Sequence, residues 1–352
     1  MKRYLSAALL LFFACKICVA SVRPVDNHGR LRVEGANIVD RNGEKTALKG
    51  ISLGWHNWWP RFYNPSAVEY LSNRWHISVI RAAMGIEVER GYFENPEKSK
   101  AVIRTVIDAA IANGIYVIAD WHTHNIYTEQ AEAFFSDIAQ QYAEYPNIIY
   151  EILNEPESKP RRDIKWEEVK EYSVRVIESI RKYDSRNLII VGSTTCSQDV
   201  DIVADDPICG YENIVYSLHF YAASHDYVRN KAEYAVGKGL PLFVSECSPT
   251  QNNGDGPLDK KKFSTWLKFM KQNEISFVLW GLYDKEESSA MLKPNADPRG
   301  NWSADQLTEM GIYSRQIIGG GTGLTRIIII AGVLISAVIA VFIIHKRVGH
   351  KQ

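Results

Sequence analysis

The chain has 352 residues, 46% of them hydrophobic, with 41 basic side chains set against 41 acidic ones. That length and apolar content fit one large buried core better than two small ones. The even charge balance gives no footing for nucleic acid or an acidic polymer as partner.

Residues 1–20 read as a cleaved secretory leader: Lys2 and Arg3, an apolar run over 5–15, then the small residues Ala20 and Ser21. The run is too short to span a membrane. Asp40-Arg41-Asn42-Gly43 is a turn signal between two extended pieces. From there a rhythm sets in. Apolar, strand-like runs fall at 47–52, 77–82, 115–119, 148–153, 188–191, 214–218, 242–244 and 277–279. Helical spacing occupies 67–75, 99–113, 129–143, 166–181 and 258–273, with a short piece at 199–204. Eight strands alternating with helices predict an α/β fold, a (β/α)8 TIM barrel, over residues 21–318. A doubly wound open sheet is the alternative, weakened because no glycine-rich phosphate loop follows the first strand.

Past the barrel, residues 319–326 begin with Gly319-Gly320-Gly321-Thr322-Gly323 and read as a flexible tether. Residues 327–344 carry no charge; as a helix they extend about 27 Å, enough for a single transmembrane helix, with a buried helix as the alternative. Residues 345–352 form a basic tail containing His345, Lys346, Arg347, His350 and Lys351. Positive charge on that side places the tail in the cytoplasm and the barrel outside, extracellular or lumenal, in a protein of the secretory pathway anchored in a membrane. A basic end also argues against a glycolipid anchor. Three cysteines follow the leader, Cys196, Cys209 and Cys247. In an oxidising compartment one pair is plausible, and Cys196 with Cys209 flank a single loop, but the pairing of the three stays open and one thiol is left over. No CxxC or Cys/His spacing of the zinc type is present, so no structural metal is expected. Asn301-Trp302-Ser303 is a glycosylation sequon.

The chemistry gathers where the predicted strands end. Ile148-Ile149-Tyr150-Glu151-Ile152-Leu153 is too apolar for a solvated loop, and Pro156 stops it. Asn154 and Glu155 therefore stand at the carboxyl end of a buried strand, where α/β enzymes place ligands. A carboxylate beside an amide there is a candidate general acid; a helix-capping glutamate is the plainer alternative. The first strand is followed by Trp55, Trp58 and Trp59, and the second gives Arg81. The third gives Asp120-Trp121-His122, the sixth His219 and Tyr221, the seventh Glu246, the eighth Trp280. Glu155 and Glu246 face each other across a barrel mouth, the pair that acetal hydrolysis requires. Arg81, His219 and Tyr221 can hold one carboxylate ionised while the other stays protonated.

The blocks that carry a resemblance are Ile80-Arg81-Ala82-Ala83-Met84-Gly85, Ala119-Asp120-Trp121-His122, residues 148–156, and Ile190-Val191-Gly192 with Ser197-Gln198-Asp199-Val200-Asp201. Further along come Ser217-Leu218-His219-Phe220-Tyr221, Phe243-Val244-Ser245-Glu246, Trp280-Gly281-Leu282-Tyr283-Asp284-Lys285 and Glu287-Ser288-Ser289-Ala290. In this order they resemble glycoside hydrolase family 5, within it the endoglucanase (cellulase) branch, over about residues 25–315. The resemblance implies a retaining endo-β-1,4-glucanase that cleaves cellulose or a related β-glucan by double displacement, as a monomer and with no cofactor or metal.

Under that resemblance Glu155 is the general acid/base and Glu246 the nucleophile, while Asn154 bonds the sugar 2-hydroxyl. Arg81 and Tyr221 orient Glu246, His122 and His219 line the same subsite, and Trp280 stacks under the sugar. Trp55, Trp58, Lys285 and Glu287 match substrate-contacting positions, a core role remaining open for the tryptophans. The chain departs from the family where Cys247-Ser248 follow the nucleophile in place of Trp-Gly. That change implies a reshaped subsite or a thiol that pairs elsewhere. The competing readings are the same mechanism on mannan, xyloglucan or mixed-linkage glucan, and a non-catalytic surface carbohydrate-binding protein on a hydrolase scaffold.

Overall fold

The computed structural model describes residues 23–157 and 163–319. The expected leader, most of the tether, the apolar run 327–344 and the basic tail lie outside the described residues. Among the described residues no helix is long and apolar enough to cross a membrane.

A short antiparallel hairpin comes first, β1 (Arg32–Glu34) with β2 (Asn37–Val39). Eight strands follow: β3 (Lys49–Leu53), β4 (Val79–Gly85), β5 (Tyr116–His122), β6 (Ile148–Glu151), β7 (Leu188–Val191), β8 (Ile214–Tyr221), β9 (Leu242–Ser248) and β10 (Ser276–Leu282). All their pairings are parallel, and β10 returns to β3 to close the barrel. Each predicted strand is present. Every residue of β4 to β10 is buried, because one face packs on the barrel axis and the other on helices. Strands covered on both faces are written as unbroken apolar runs rather than as alternation.

The outer layer holds the helices Pro65–Tyr70, Pro96–Asn113, Thr128–Tyr142, Trp166–Arg181, Val200–Asp205, Val228–Gly237, Lys260–Gln272 and Glu309–Ile318. Their ends follow local chemistry. Pro96 opens the second of these, and Gly114, left-handed at φ 64°, closes it and turns the chain into β5. Asp259 caps Lys260–Gln272 by accepting from the Lys262 amide. Two helices, Val228–Gly237 and Glu309–Ile318, stand where sequence reading placed none. The Asp40–Gly43 turn forms as expected and brings Val39 to Lys45, but the strand β1 that partners β2 was not anticipated.

The lower end of the barrel is sealed by Val79, Ile118, Ile149, Ile190, Phe243 and Val278, with Val25, Leu31 and Ile38 packed beneath them. The plausible pair Cys196 and Cys209 is not formed: Cys209 is an exposed thiol and Cys247 a buried one. Cys196 sits near the mouth beside Glu155, whereas Cys209 lies just before β8 begins at the lower end, so the loop carries the two sulfurs to opposite ends of the barrel.

Candidate active site

The two predicted carboxylates reach the mouth by different devices. Glu155 follows β6 on a loop whose path is fixed when its amide donates to the Thr123 carbonyl at 3.1 Å. Glu246 lies inside β9, which carries one extra residue. Ser217 to His219 of β8 faces Phe243 to Glu246, and Phe277 to Leu279 of β10 faces Val244 to Cys247. Such a bulge breaks the alternation of the strand. Ser245 and Glu246 consequently both point inward. Ser245 Oγ donates to Glu151 at 2.6 Å and meets Ser217 and His219, while Glu246 bonds Arg81 and Tyr221. Cys247 then faces outward into the main core, its Sγ 3.4 Å from the Val278 carbonyl. The replacement of Trp-Gly by Cys247-Ser248 therefore puts a thiol in the helix-facing layer, where it neither reshapes the subsite nor pairs.

Arg81 is the hub. Wholly buried, it donates to Glu151 at 2.6 and 3.2 Å, to Glu246 Oε2 at 2.9 Å and to Asn154 Oδ1 at 2.6 Å, and it lies 2.9 Å from Asp120 Oδ2. A buried cation needs such partners. Burial raises the Glu151 carboxyl, but the Arg81 charge and the His219 hydrogen bond outweigh it and hold Glu151 at about 2. Asp120 goes the other way, pushed well above the carboxylate range by burial against the pull of Arg81. Its neighbour His122, 2.7 Å away, is kept neutral by burial and by Arg81. For His219 burial disfavours the cation, yet hydrogen bonds to Glu151 and Glu155 raise it to about 9.

Glu155 Oε1 lies 2.9 Å from His219 Nδ1, and one oxygen each of Glu155 and Glu246 lie within 4.8 Å of each other and of a His219 nitrogen. Burial and the Glu155 charge push Glu246 upward, whereas for Glu155 burial is outweighed by the bond and charge of His219, which hold it down. With His219 protonated, then, the proton of this trio rests on the imidazole. What separates the two glutamates is their donors. Glu246 accepts on both oxygens, from Arg81 Nη1 at 2.9 Å and from the Tyr221 hydroxyl at 2.6 Å, which suits an anion. Glu155 shares a single bond with an imidazole nitrogen that can donate or accept, so a proton can sit on either side of it.

Above this floor opens a cavity of about 250 Å³ lined by Trp55, Trp58, Trp59, His122, His124, Glu155, Tyr221, Glu246, Trp280, Tyr283, Lys285 and Glu287, with Asn252, Asn253 and Gly254. Trp280 and His122 are parallel within 4°, their centroids 5.5 Å apart, and Trp55 meets His122 edge-on. Trp58 is 42% exposed at the rim, so it is no core residue. Lys285 pairs with Glu287, which also accepts from the Tyr283 hydroxyl at 2.7 Å. Nine of the twelve predicted site residues thus line one cavity, while Arg81, Asn154 and His219 form its floor. Asn154 Nδ2 is buried with no partner among the described residues. A larger cavity of about 520 Å³ lies at the lower end, around Arg32, Tyr211 and Lys238, and brings together none of the predicted residues.

The predicted site omits Glu151, Ser245 and His124, and Asp120 enters it only as a strand end without a role. For Glu151 a signal existed: a lone acid inside an apolar run has to be paired if it is buried. Ser245 had none, because alternation along β9 would turn either it or Glu246 outward.

A family model described as cellulase, glycosyl hydrolase family 5, matches residues 39–286. The chain belongs to glycosyl hydrolase family 5. Its described domain is accordingly a glycoside hydrolase. It is 40% identical over 299 residues to an endoglucanase of Clostridium saccharobutylicum, covering 83% of this chain and 65% of that protein. Against endoglucanase N of Pectobacterium atrosepticum the figures are 36% over 311 residues, 86% and 68%. The chain thus spans about two-thirds of the length of these two relatives. Among solved structures, one from Cytophaga hutchinsonii superposes with a TM-score of 0.82 at 37% identity, covering 88% of this chain and 99% of that one. The catalytic domain of a Thermobifida fusca endoglucanase in complex with cellotetraose superposes with a TM-score of 0.79 at 31% identity, covering 84% and 99%.

Proposed function

We propose that the barrel is a retaining endo-β-1,4-glucanase that cleaves internal bonds of cellulose or a related β-glucan. The observation that carries this reading is the approach of Glu155 and Glu246 oxygens to within 4.8 Å. Inverting enzymes hold their carboxyl groups about 6.5–9.5 Å apart to admit a water, whereas retaining ones keep them at about 5–5.5 Å. Glu246 attacks the anomeric carbon while Glu155 gives its proton to the leaving oxygen. Glu155 then takes a proton from the water that releases the sugar from Glu246. His219 supplies the proton reservoir beside Glu155, and Arg81 with Tyr221 keeps Glu246 ionised. Asn154 Nδ2, buried and unpaired among the described residues, is positioned to donate to a sugar hydroxyl next to the cleavage point. The indoles of Trp280, Trp55 and Trp58 offer flat faces to successive sugar rings.

Cellotetraose bound in one relative, and the name endoglucanase borne by the Clostridium saccharobutylicum and Pectobacterium atrosepticum relatives, support a β-1,4-glucan over mannan or xyloglucan. The test is hydrolysis of carboxymethylcellulose, barley β-glucan, xyloglucan and mannan side by side, with Glu155→Gln as control. Release of reducing ends from the first two, lost in the control, is expected. Preference for mannan or xyloglucan would move the substrate, and silence on all four from a folded protein would leave a binding protein. The leader 1–20 and the uncharged run 327–344 support display of the barrel on the outer or lumenal side of a membrane. Alkaline carbonate extraction tests it: the full chain stays with the membrane, and a chain ending at residue 318 is released.

A further inference from the structure

Cys196 sits at the mouth, and nothing in the hydrolytic scheme uses it. It lies on a left-handed turn, with φ of 53°, 55° and 58° at Thr195, Cys196 and Ser197. L-residues adopt this region only when their surroundings impose it. Here Ser197 Oγ donates to the Asn154 carbonyl at 2.6 Å, the Cys196 amide donates to the Pro156 carbonyl at 3.1 Å, and Thr194 and Thr195 both donate to Asp199. The turn is thereby tied to the loop that carries Glu155. Ligand atoms of His124, Glu155 and Cys196, all three half-buried, lie within 4.8 Å of one another.

We propose that His124, Glu155 and Cys196 form an inhibitory site for a borderline-soft divalent cation of the zinc class, an inference that rests on Glu155 being the acid/base. Imidazole, carboxylate and thiolate together suit zinc-like ions and not magnesium or calcium. Adjacent ligands of a tetrahedral zinc ion stand about 3.3–3.8 Å apart, given bonds of about 2.0–2.3 Å. His124 Nδ1 and Glu155 Oε2 already stand 3.7 Å apart, that oxygen is the one His219 leaves unused, and Nδ1 exchanges its single 3.1 Å bond to the Glu155 carbonyl for the ion. His124 and Glu155 both line the cleft, so the ion is reachable from it. On binding, the thiol releases its proton to solvent and its sulfur joins the ion as thiolate. Glu155 then no longer takes up or delivers a proton, so hydrolysis stops until the ion is removed. The neighbouring trio Glu155, His219 and Glu246 makes no such site, because Arg81 and Tyr221 occupy both Glu246 oxygens and both His219 nitrogens are engaged.

Cobalt(II) titration of the full chain reads the site without substrate, through thiolate-to-metal charge-transfer absorption and the intense visible bands of a tetrahedral ion. The proposal expects both bands in the wild type and in Cys209→Ser, and neither in Cys196→Ser. In parallel, zinc should suppress β-glucan hydrolysis and a chelator restore it, whereas Cys196→Ser should hydrolyse at the metal-free wild-type rate and resist zinc by more than about tenfold. No bands in the wild type, or bands that survive in Cys196→Ser, would overturn the site. Bands that depend on Cys196 in a protein that hydrolyses nothing would uphold the site and sink the hydrolase reading instead.

Discussion

The two ends of the barrel are built from the same eight strands and hold opposite things. At the lower end Ile118, Ile149, Ile190 and Val278 fill the axis with hydrocarbon. A few residues further along the same strands, Arg81, Asp120, Glu151, His219 and Glu246 crowd ionisable groups into an equally buried space, with half-buried Glu155 on the loop beside them. Apolar packing contributes stability without needing partners, whereas each buried charge has to be met by another. The lower end therefore reads as the foundation and the upper end as chemistry whose geometry is held by a closed network. It follows that substitutions below should change stability and leave rate alone, and that substitutions above should change rate.

The largest expected effect is at Glu246. Glu246→Gln keeps the shape and should lower kcat by on the order of 10⁴-fold or more, with an unchanged circular dichroism spectrum. Arg81→Met blurs the division between the two ends. It leaves Glu151, Glu246 and Asp120 without their common cation, so it should cost about 3–5 kcal/mol in urea unfolding and most of the activity. Asn154→Ala should reduce kcat by about 10²–10³-fold with a much smaller change in unfolding midpoint, having removed one donor to the sugar.

His219 adds a dependence on pH. Its folded value of about 9 lies above the ordinary 6.5, so its contribution is fully present below pH 6.5 and is lost as pH rises through 9. Urea unfolding of the wild type against His219→Gln should show a gap that shrinks by on the order of 3 kcal/mol between those limits. The smallest effect belongs to the lower end: Ile190→Val should cost about 0.5–1.5 kcal/mol and leave kcat within error. A rate loss there would show that the two ends are coupled.

Where a residue's role depends on its own strand, the sequence was readable. Eight apolar runs announced eight strands, and Pro156 fixed where Asn154 and Glu155 would stand. The helix Val228–Gly237 escaped because only Val228, Ala232 and Ala235 are buried in it, too few to print a stripe. The helix Glu309–Ile318 sits beyond the last strand, where no rhythm points to it. Positions that depend on neighbours were harder. The inward turn of Ser245 beside Glu246 comes from a bulge that only the pairing of β9 with β8 and β10 reveals. Cys196 looked like half of a disulfide because Cys209 is near in sequence, but its actual neighbours, His124 and Glu155, come from other loops of the mouth.

The most direct test of the central claim, that Glu155 and Glu246 work as a close pair by double displacement, is proton NMR of the first product formed from a β-1,4-linked cello-oligosaccharide, recorded before mutarotation. The account predicts that the β-anomer accumulates first. First appearance of the α-anomer would mean that water attacks directly, for which two carboxylate oxygens within 4.8 Å of each other leave no room.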